Sequence, residues 1–174
     1  MSVANRKYDM GKKRKGFNGC VKGFYTINLI STQLNGGRAV GKVFEAIHKV
    51  RSYECDSYGH VNNAVYLNYL EYGRMEALDE LHITLERLKK ETGTLVVIRR
   101  VDIEYLRPLT MGDEIVIKTF LKESRRTSGV FGQEIVHRES GELAARADVT
   151  WVFINLQGKP APIPQLVKEG FGIP

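Results

Sequence analysis

The stretch CDSYGHVNNAVYLNYLEYGR, Cys55 to Arg74, changes character in its middle. Upstream of it, VFEAIHKVRSYE (Val43 to Glu54) alternates, with Phe44, Ala46, His48 and Val50 on one face, and predicts a strand. Downstream, Asn63 to about Leu81 carries Tyr66, Leu70, Gly73 and Ala77 on one stripe and Leu67, Leu78 and Leu81 on an adjoining one. That spacing predicts a helix of roughly 28 Å at 1.5 Å per residue. Its first half is apolar nearly all round, which suggests a helix buried on most sides, and Gly73 and Ala77 would let a flat surface come close. The junction between strand and helix holds Asp56, Gly59, His60, Asn62 and Asn63.

Four more strands follow. Thr94 to Arg107 alternates Val101, Ile103 and Tyr105 with Asp102 and Glu104, and ends at Pro108 and the turn TMGDE. Glu114 to Glu123, Gly129 to Arg138 and Leu143 to Asn155 come next, the last two joined by the hairpin signal ESGE. In the final strand Ala145, Ala147, Val149, Trp151 and Phe153 share one face. Alanine is a poor strand former, so two on one face suggest close packing against the helix. GKPAPIP then ends the regular structure. One strand, one long helix and four strands with short links predict an α+β fold, an antiparallel sheet with a helix across it.

Residues 1–42 read as an appendage. Arg6, Lys7, Lys12, Lys13, Arg14, Lys15, Lys22, Arg38 and Lys42 stand against the single acid Asp9, so residues 1–43 carry +8 and the remainder −2 of the net +6. The only run there that suggests structure is FYTINLI, Phe24 to Ile30. A disordered basic tail, an organelle-targeting presequence, a partner-binding arm and a translation artefact upstream of the real start all fit this composition. The body is not basic, so no nucleic-acid partner is expected. No apolar run of the 174 residues approaches membrane-spanning length, and no secretory signal is expected. Cys20 and Cys55 make no disulfide framework, which fits a reducing, cytoplasmic location.

The junction carries chemistry on two readings. Asp56 and the asparagines serve as turn and cap residues in many proteins. They also suit acyl transfer, since a helix N-terminus offers unpaired N–H groups and the positive end of a dipole. Asn62 or Asn63 is a good N-cap, and the N–H at Asn63 or the next residue can face a developing oxyanion. Cys55 with His60 gives a nucleophile reading, but in extended chain Cys55 points away from the face carrying Asp56. Glu71 is a second carboxylate. His48, His60, His82 and His137 lack zinc-like spacing, so no metal is expected.

Asp-Ser-Tyr-Gly-His-Val-Asn-Asn-Ala-Val-Tyr-Leu, from Asp56, resembles the signature of the 4-hydroxybenzoyl-CoA thioesterase family of the hotdog superfamily. The resemblance covers about Lys42 to Ile163. KESRRTSG (Lys122 to Gly129) is similar to the basic hairpin that these enzymes set beside the CoA phosphates, and ARADVTWVF (Ala145 to Phe153) is similar to their last strand. HVNN is also similar to plant acyl-carrier-protein thioesterases. Those have Asn two residues after the Asp, where this chain has Tyr58, so their Asp-Asn-His network is not carried over. The resemblance implies a hotdog fold, a five-stranded antiparallel sheet wrapped around one long central helix. It implies acyl-CoA as substrate, no cofactor, and a homodimer or homotetramer with sites between subunits. Asp56 would be nucleophile or general base, and the Asn63 N–H would polarise the carbonyl. His60 would orient Asp56 or simply support the loop. Tyr58 and Tyr66 would line the substrate site, and Arg125, Arg126, Thr127 and Ser128 would meet the phosphates. Alternatives are an acyl-carrier-protein thioesterase, a hydratase, and a non-catalytic acyl-CoA sensor with a DNA-binding arm.

Overall fold

The computed structural model describes residues 42–173. The basic segment 1–41, with its FYTINLI run, lies outside the described residues.

The chain forms β1 (Val43–Lys49), a 3-10 turn (Ser52–Glu54), α1 (Asn63–Glu80), α2 (Leu85–Thr92), β2 (Thr94–Tyr105), β3 (Glu114–Ser124), β4 (Ser128–His137), β5 (Leu143–Asn155) and α3 (Gln165–Phe171). The strands make one antiparallel sheet in the order β1-β3-β4-β5-β2. α1 packs over β1 and β3, and α2 over β2. This is the antiparallel sheet with a helix across it that the residue patterns predict, and the five-stranded hotdog arrangement that the family resemblance implies.

The alternation of β5 translates directly into burial. Ala145, Ala147, Val149, Trp151 and Phe153 are all buried on the helix side. So are Tyr66, Leu70, Gly73 and Ala77 of α1. The two elements contribute to two apolar clusters, one around Leu70, Ile117 and Val149, the other around Ala77, Trp151 and Phe171. Gly73 has a steric reason to be glycine: a Cβ there would lie 2.5 Å from Ile117 Cγ2.

Four expectations need correction. β1 ends at Lys49, because the chain turns back at Val50, whose N–H donates to Asp113 O. α1 is buried on one face only: within one chain Leu67 stays 43% exposed and Tyr72 37%. α2 occupies a stretch read as connection. Thr84 caps it by accepting from Arg87 N–H, and Gly93 ends it at φ 63°. Regular structure also does not end at GKPAPIP, since α3 follows, buries Val167 and Phe171, and closes at Gly172. No helix among the described residues is long and apolar enough to cross a membrane.

Candidate active site

Asp56 sits in a tight loop closed by two isolated bridges, Cys55 with Val61 and His60 with Thr110. Its main chain is pinned at both ends, N–H to His60 O at 2.8 Å and O from Gly59 N–H at 3.0 Å. The turn needs Gly59, at φ 81°. Asp56 Oδ1 accepts the N–H of Tyr58 at 2.8 Å and, more weakly, that of His60 at 3.4 Å. Oδ2 has no partner among the described residues, and the side chain is exposed. A carboxylate held by one oxygen, with the other free, is oriented but still available for chemistry.

Seven residues after Asp56, α1 begins. Asn62 is its N-cap: Oδ1 accepts Ala64 N–H at 2.9 Å and its carbonyl accepts Val65 N–H. The Asn63 N–H has no partner among the described residues, so one donor of the helix N-terminus is left over. The Tyr105 hydroxyl donates to Asn63 O at 3.1 Å and ties this turn to the end of β2.

The sequence-derived candidates fall in three places. Asp56, Tyr58, His60 and Asn63 share the loop and helix start. Tyr58 is 85% exposed. His60 supports Asp56 through its main-chain N–H, and its imidazole meets no hydrogen-bond partner among the described residues. Tyr66 lies in the core at 3% exposure, its ring edge-on to Tyr105 at 5.0 Å, and burial raises its phenol above the ordinary 10.0. Cys55 packs against the core cluster. Glu71 is exposed, roughly 12 Å along α1 from Asn63.

Arg125, Arg126, Thr127 and Ser128 form the β3–β4 hairpin, tied by Arg125 N–H to Ser128 O, by Phe153 N–H to Thr127 O and by Ile163 N–H to Arg126 O. Within one chain this hairpin and the Asp56 loop lie at opposite ends of β3. The loop rests on residues 109–113, before the strand starts, and the arginines follow its last residue, roughly 33 Å away along the strand.

The sequence reading missed the support behind the loop. Glu54 is buried and accepts from Arg51 N–H at 2.7 Å and from the Tyr69 hydroxyl at 2.9 Å, with His48 Nε2 3.0 Å away. Its own carbonyl accepts the N–H of Asn62. One residue thus joins β1, α1 and the loop. Burial pushes the Glu54 carboxyl up, but the hydrogen bonds from Arg51, His48 and Tyr69 outweigh it and hold the group below its ordinary 4.5. Burial, then the bond to Glu54, pushes the Tyr69 phenol well above its usual range. A depressed carboxyl contributes stability that is fully present above its unfolded value and lost as the pH falls through the folded one. The thermal midpoint should therefore drop as the pH falls below 4.5 more steeply in wild type than in Glu54→Gln. Parallel pH–midpoint curves for the two proteins would show that this carboxylate is not the group titrating.

No group of three or more His, Cys, Asp or Glu side chains able to hold a metal occurs among the described residues.

Sequence and structure comparisons agree on the family. The sequence profile of the thioesterase-like superfamily matches residues 50–171. An Arabidopsis thaliana chloroplastic acyl-acyl carrier protein thioesterase is 33% identical over 144 residues, 83% of this chain and 76% of that protein. The long-chain acyl-CoA thioesterase FadM of Escherichia coli is 34% identical over 113 residues, 65% of this chain and 84% of FadM. A Thermus thermophilus thioesterase crystallised with coenzyme A and zinc superposes with a TM-score of 0.63 at 29% identity, covering 74% of this chain and 90% of that one. The narrower 4-hydroxybenzoyl-CoA family remains a resemblance. The profile match spans β2 to β5, α1 and the Asp56 loop, and on it the chain belongs to the thioesterase-like superfamily.

Proposed function

We propose that this chain hydrolyses acyl-CoA to a free acid and CoA, with Asp56 as the reacting carboxylate. The observation that carries the reading is the pairing of a half-anchored carboxylate with the Asn63 N–H at the start of α1, which has no partner among the described residues. A thioester carbonyl placed against that N–H gains stabilisation of the negative charge that develops on its oxygen. Asp56 then either attacks the carbonyl carbon, displacing CoA thiolate and leaving a mixed anhydride for water to cleave, or removes a proton from an attacking water. Either route needs only water as co-reactant and no cofactor. His60 and Glu54 hold the loop. Thiol release by wild type and by Asp56→Asn tests the assignment.

The site is completed by a second copy of the chain. β2 is an edge strand, and Val97, Ile98, Tyr105 and Leu106 on or beside it are exposed in the single chain. The distance between Asp56 and Arg125 and Arg126 within one chain also supports a two-subunit site, with the arginines of one subunit meeting the CoA phosphates at the other's Asp56. Changing both arginines to Ala should raise KM for acyl-CoA about tenfold, lower kcat less, and flatten the salt dependence of kcat/KM. Short thioesters without the nucleotide should be hydrolysed equally by wild type and variant. Equal losses on both substrates would move the arginines from phosphate binding to the fold.

The Arabidopsis relative supports a second reading, in which the acyl group arrives on a carrier protein. The thioester chemistry at Asp56 is the same. A KM at least about tenfold lower for acyl-carrier protein than for acyl-CoA with the same acyl chain would favour it.

A further inference from the structure

A cavity of about 140 Å³ lies far from Asp56, at the C-terminal half of α1. Its walls are mostly apolar and come from seven elements, with Leu78 of α1, Leu88 of α2, Val96 and Ile98 of β2, Phe131 of β4, Trp151 of β5 and Phe171 of α3, and its polar lining is Glu71, Arg74 and Thr119. The thioester chemistry proposed for Asp56 makes no use of it. It is also joined to the site by one face of α1. Ala64, Leu67, Glu71, Met75 and Leu78 recur every three or four residues, so they form a single stripe from the helix N-terminus to the cavity. Ala64, Leu67 and Glu71 on that stripe are exposed in the single chain. α1 packs over β1 and β3, on the far side of the sheet from β2. β2 meets the same path at both ends: Tyr105 bonds to Asn63 O, and Val96 and Ile98 line the cavity.

We infer that this cavity receives the far end of a long, straight acyl chain whose thioester lies at Asp56, an inference that rests on the thioesterase reading. The helix is the ruler. At 1.5 Å per residue, Glu71 at the near side of the cavity is roughly 12 Å from Asn63 along the axis, and Leu78 is roughly 22 Å away. An extended hydrocarbon advances about 1.25 Å per carbon, from bonds of about 1.5 Å set in a zigzag. A chain of about ten carbons just reaches the cavity, and one of about eighteen reaches its far wall. Each methylene moved from water into such a pocket is worth about fourfold in binding. The substrate class is therefore saturated or lightly unsaturated fatty acyl groups of about twelve to eighteen carbons, and short or compact aromatic acyl groups are poorer substrates.

The test is kcat/KM for straight-chain thioesters of four to eighteen carbons and for benzoyl-CoA, on both CoA and carrier protein and below the micelle concentration. Leu88→Phe and Val96→Phe, which fill the cavity without touching Asp56 or Asn63, are assayed beside wild type. Wild type should rise steeply beyond about ten carbons and be at least about tenfold better at sixteen than at six. Each filled variant should lose at least about tenfold at sixteen carbons and stay within about threefold at six. A flat wild-type profile, or benzoyl-CoA as the best substrate, overturns the inference and leaves the thioesterase reading standing. So does an equal loss at every length in a variant whose thermal midpoint is unchanged. The wild-type profile decides the matter even if both variants fail to fold. Absence of thiol release from every substrate by wild type removes the thioesterase reading itself, and this one with it.

Discussion

Asp56→Asn lowers kcat by about 100-fold or more and leaves the fold and its thermal midpoint nearly unchanged. The structure makes this a clean substitution. Asp56 is exposed, so no core contact is lost, and its loop is closed by main-chain bonds that do not involve the carboxylate. An asparagine Oδ1 still accepts the N–H groups of Tyr58 and His60, as the carboxylate oxygen does. What disappears is the negative charge, without which the residue neither attacks a thioester nor takes a proton from water. The comparison is made by thiol release at saturating acyl-CoA, with circular dichroism and melting on the same preparations. Turnover within a few-fold of wild type would move the chemistry to Glu71 on α1 or to Cys55.

Gly73→Val has the largest expected effect on stability. α1 lies so close to β3 that a Cβ at this position meets Ile117 Cγ2 at 2.5 Å, Thr119 Oγ1 at 3.1 Å and Gln133 Nε2 at 3.3 Å. None of these has room to move. Ile117 and Thr119 are fully buried, and Gln133 bonds at once to Leu70 O, to Thr119 and to Arg74. A branched side chain must push the helix off the sheet or break that network. Overpacking of this kind costs about 1–3 kcal/mol and a few degrees of thermal midpoint per kcal/mol. The gain in helix propensity over glycine returns only about 0.5 kcal/mol. A midpoint within 1–2 °C or so of wild type would mean that α1 and β3 are less closely packed than these distances imply.

The long elements were legible in the sequence because each repeats a strong signal. In β5 five alternate positions are apolar and all five are buried. The start of α1 was marked by Gly59 and the paired asparagines, and the helix begins at Asn63. The short helices lacked such repetition. α2 buries only Leu88 and is otherwise mostly charged, so its caps, Thr84 and Gly93, were the main signal of it. α3 follows a proline-rich run that masks its start.

The candidate site was legible only in its local part. Asp56, His60 and Asn63 lie within eight residues and are brought together by one loop. The Glu54 support was hidden by reading Val43 to Glu54 as one continuous strand, which would hold Glu54 roughly 20 Å from His48. The turn at residues 50–54 folds it back to 3.0 Å. The separation of Arg125 and Arg126 from Asp56 within one chain follows from the length of β3, and the second subunit proposed to bring them together lies outside what a motif match contains.

The most direct measurement is thiol and acid release by the wild-type chain from palmitoyl-CoA, with free CoA and palmitate quantified together. Catalytic turnover is expected, with one CoA and one palmitate per thioester consumed, and its loss in Asp56→Asn. Tight binding of palmitoyl-CoA with no thiol released above the buffer rate would contradict it, and would make the chain an acyl-CoA sensor built on a thioesterase fold.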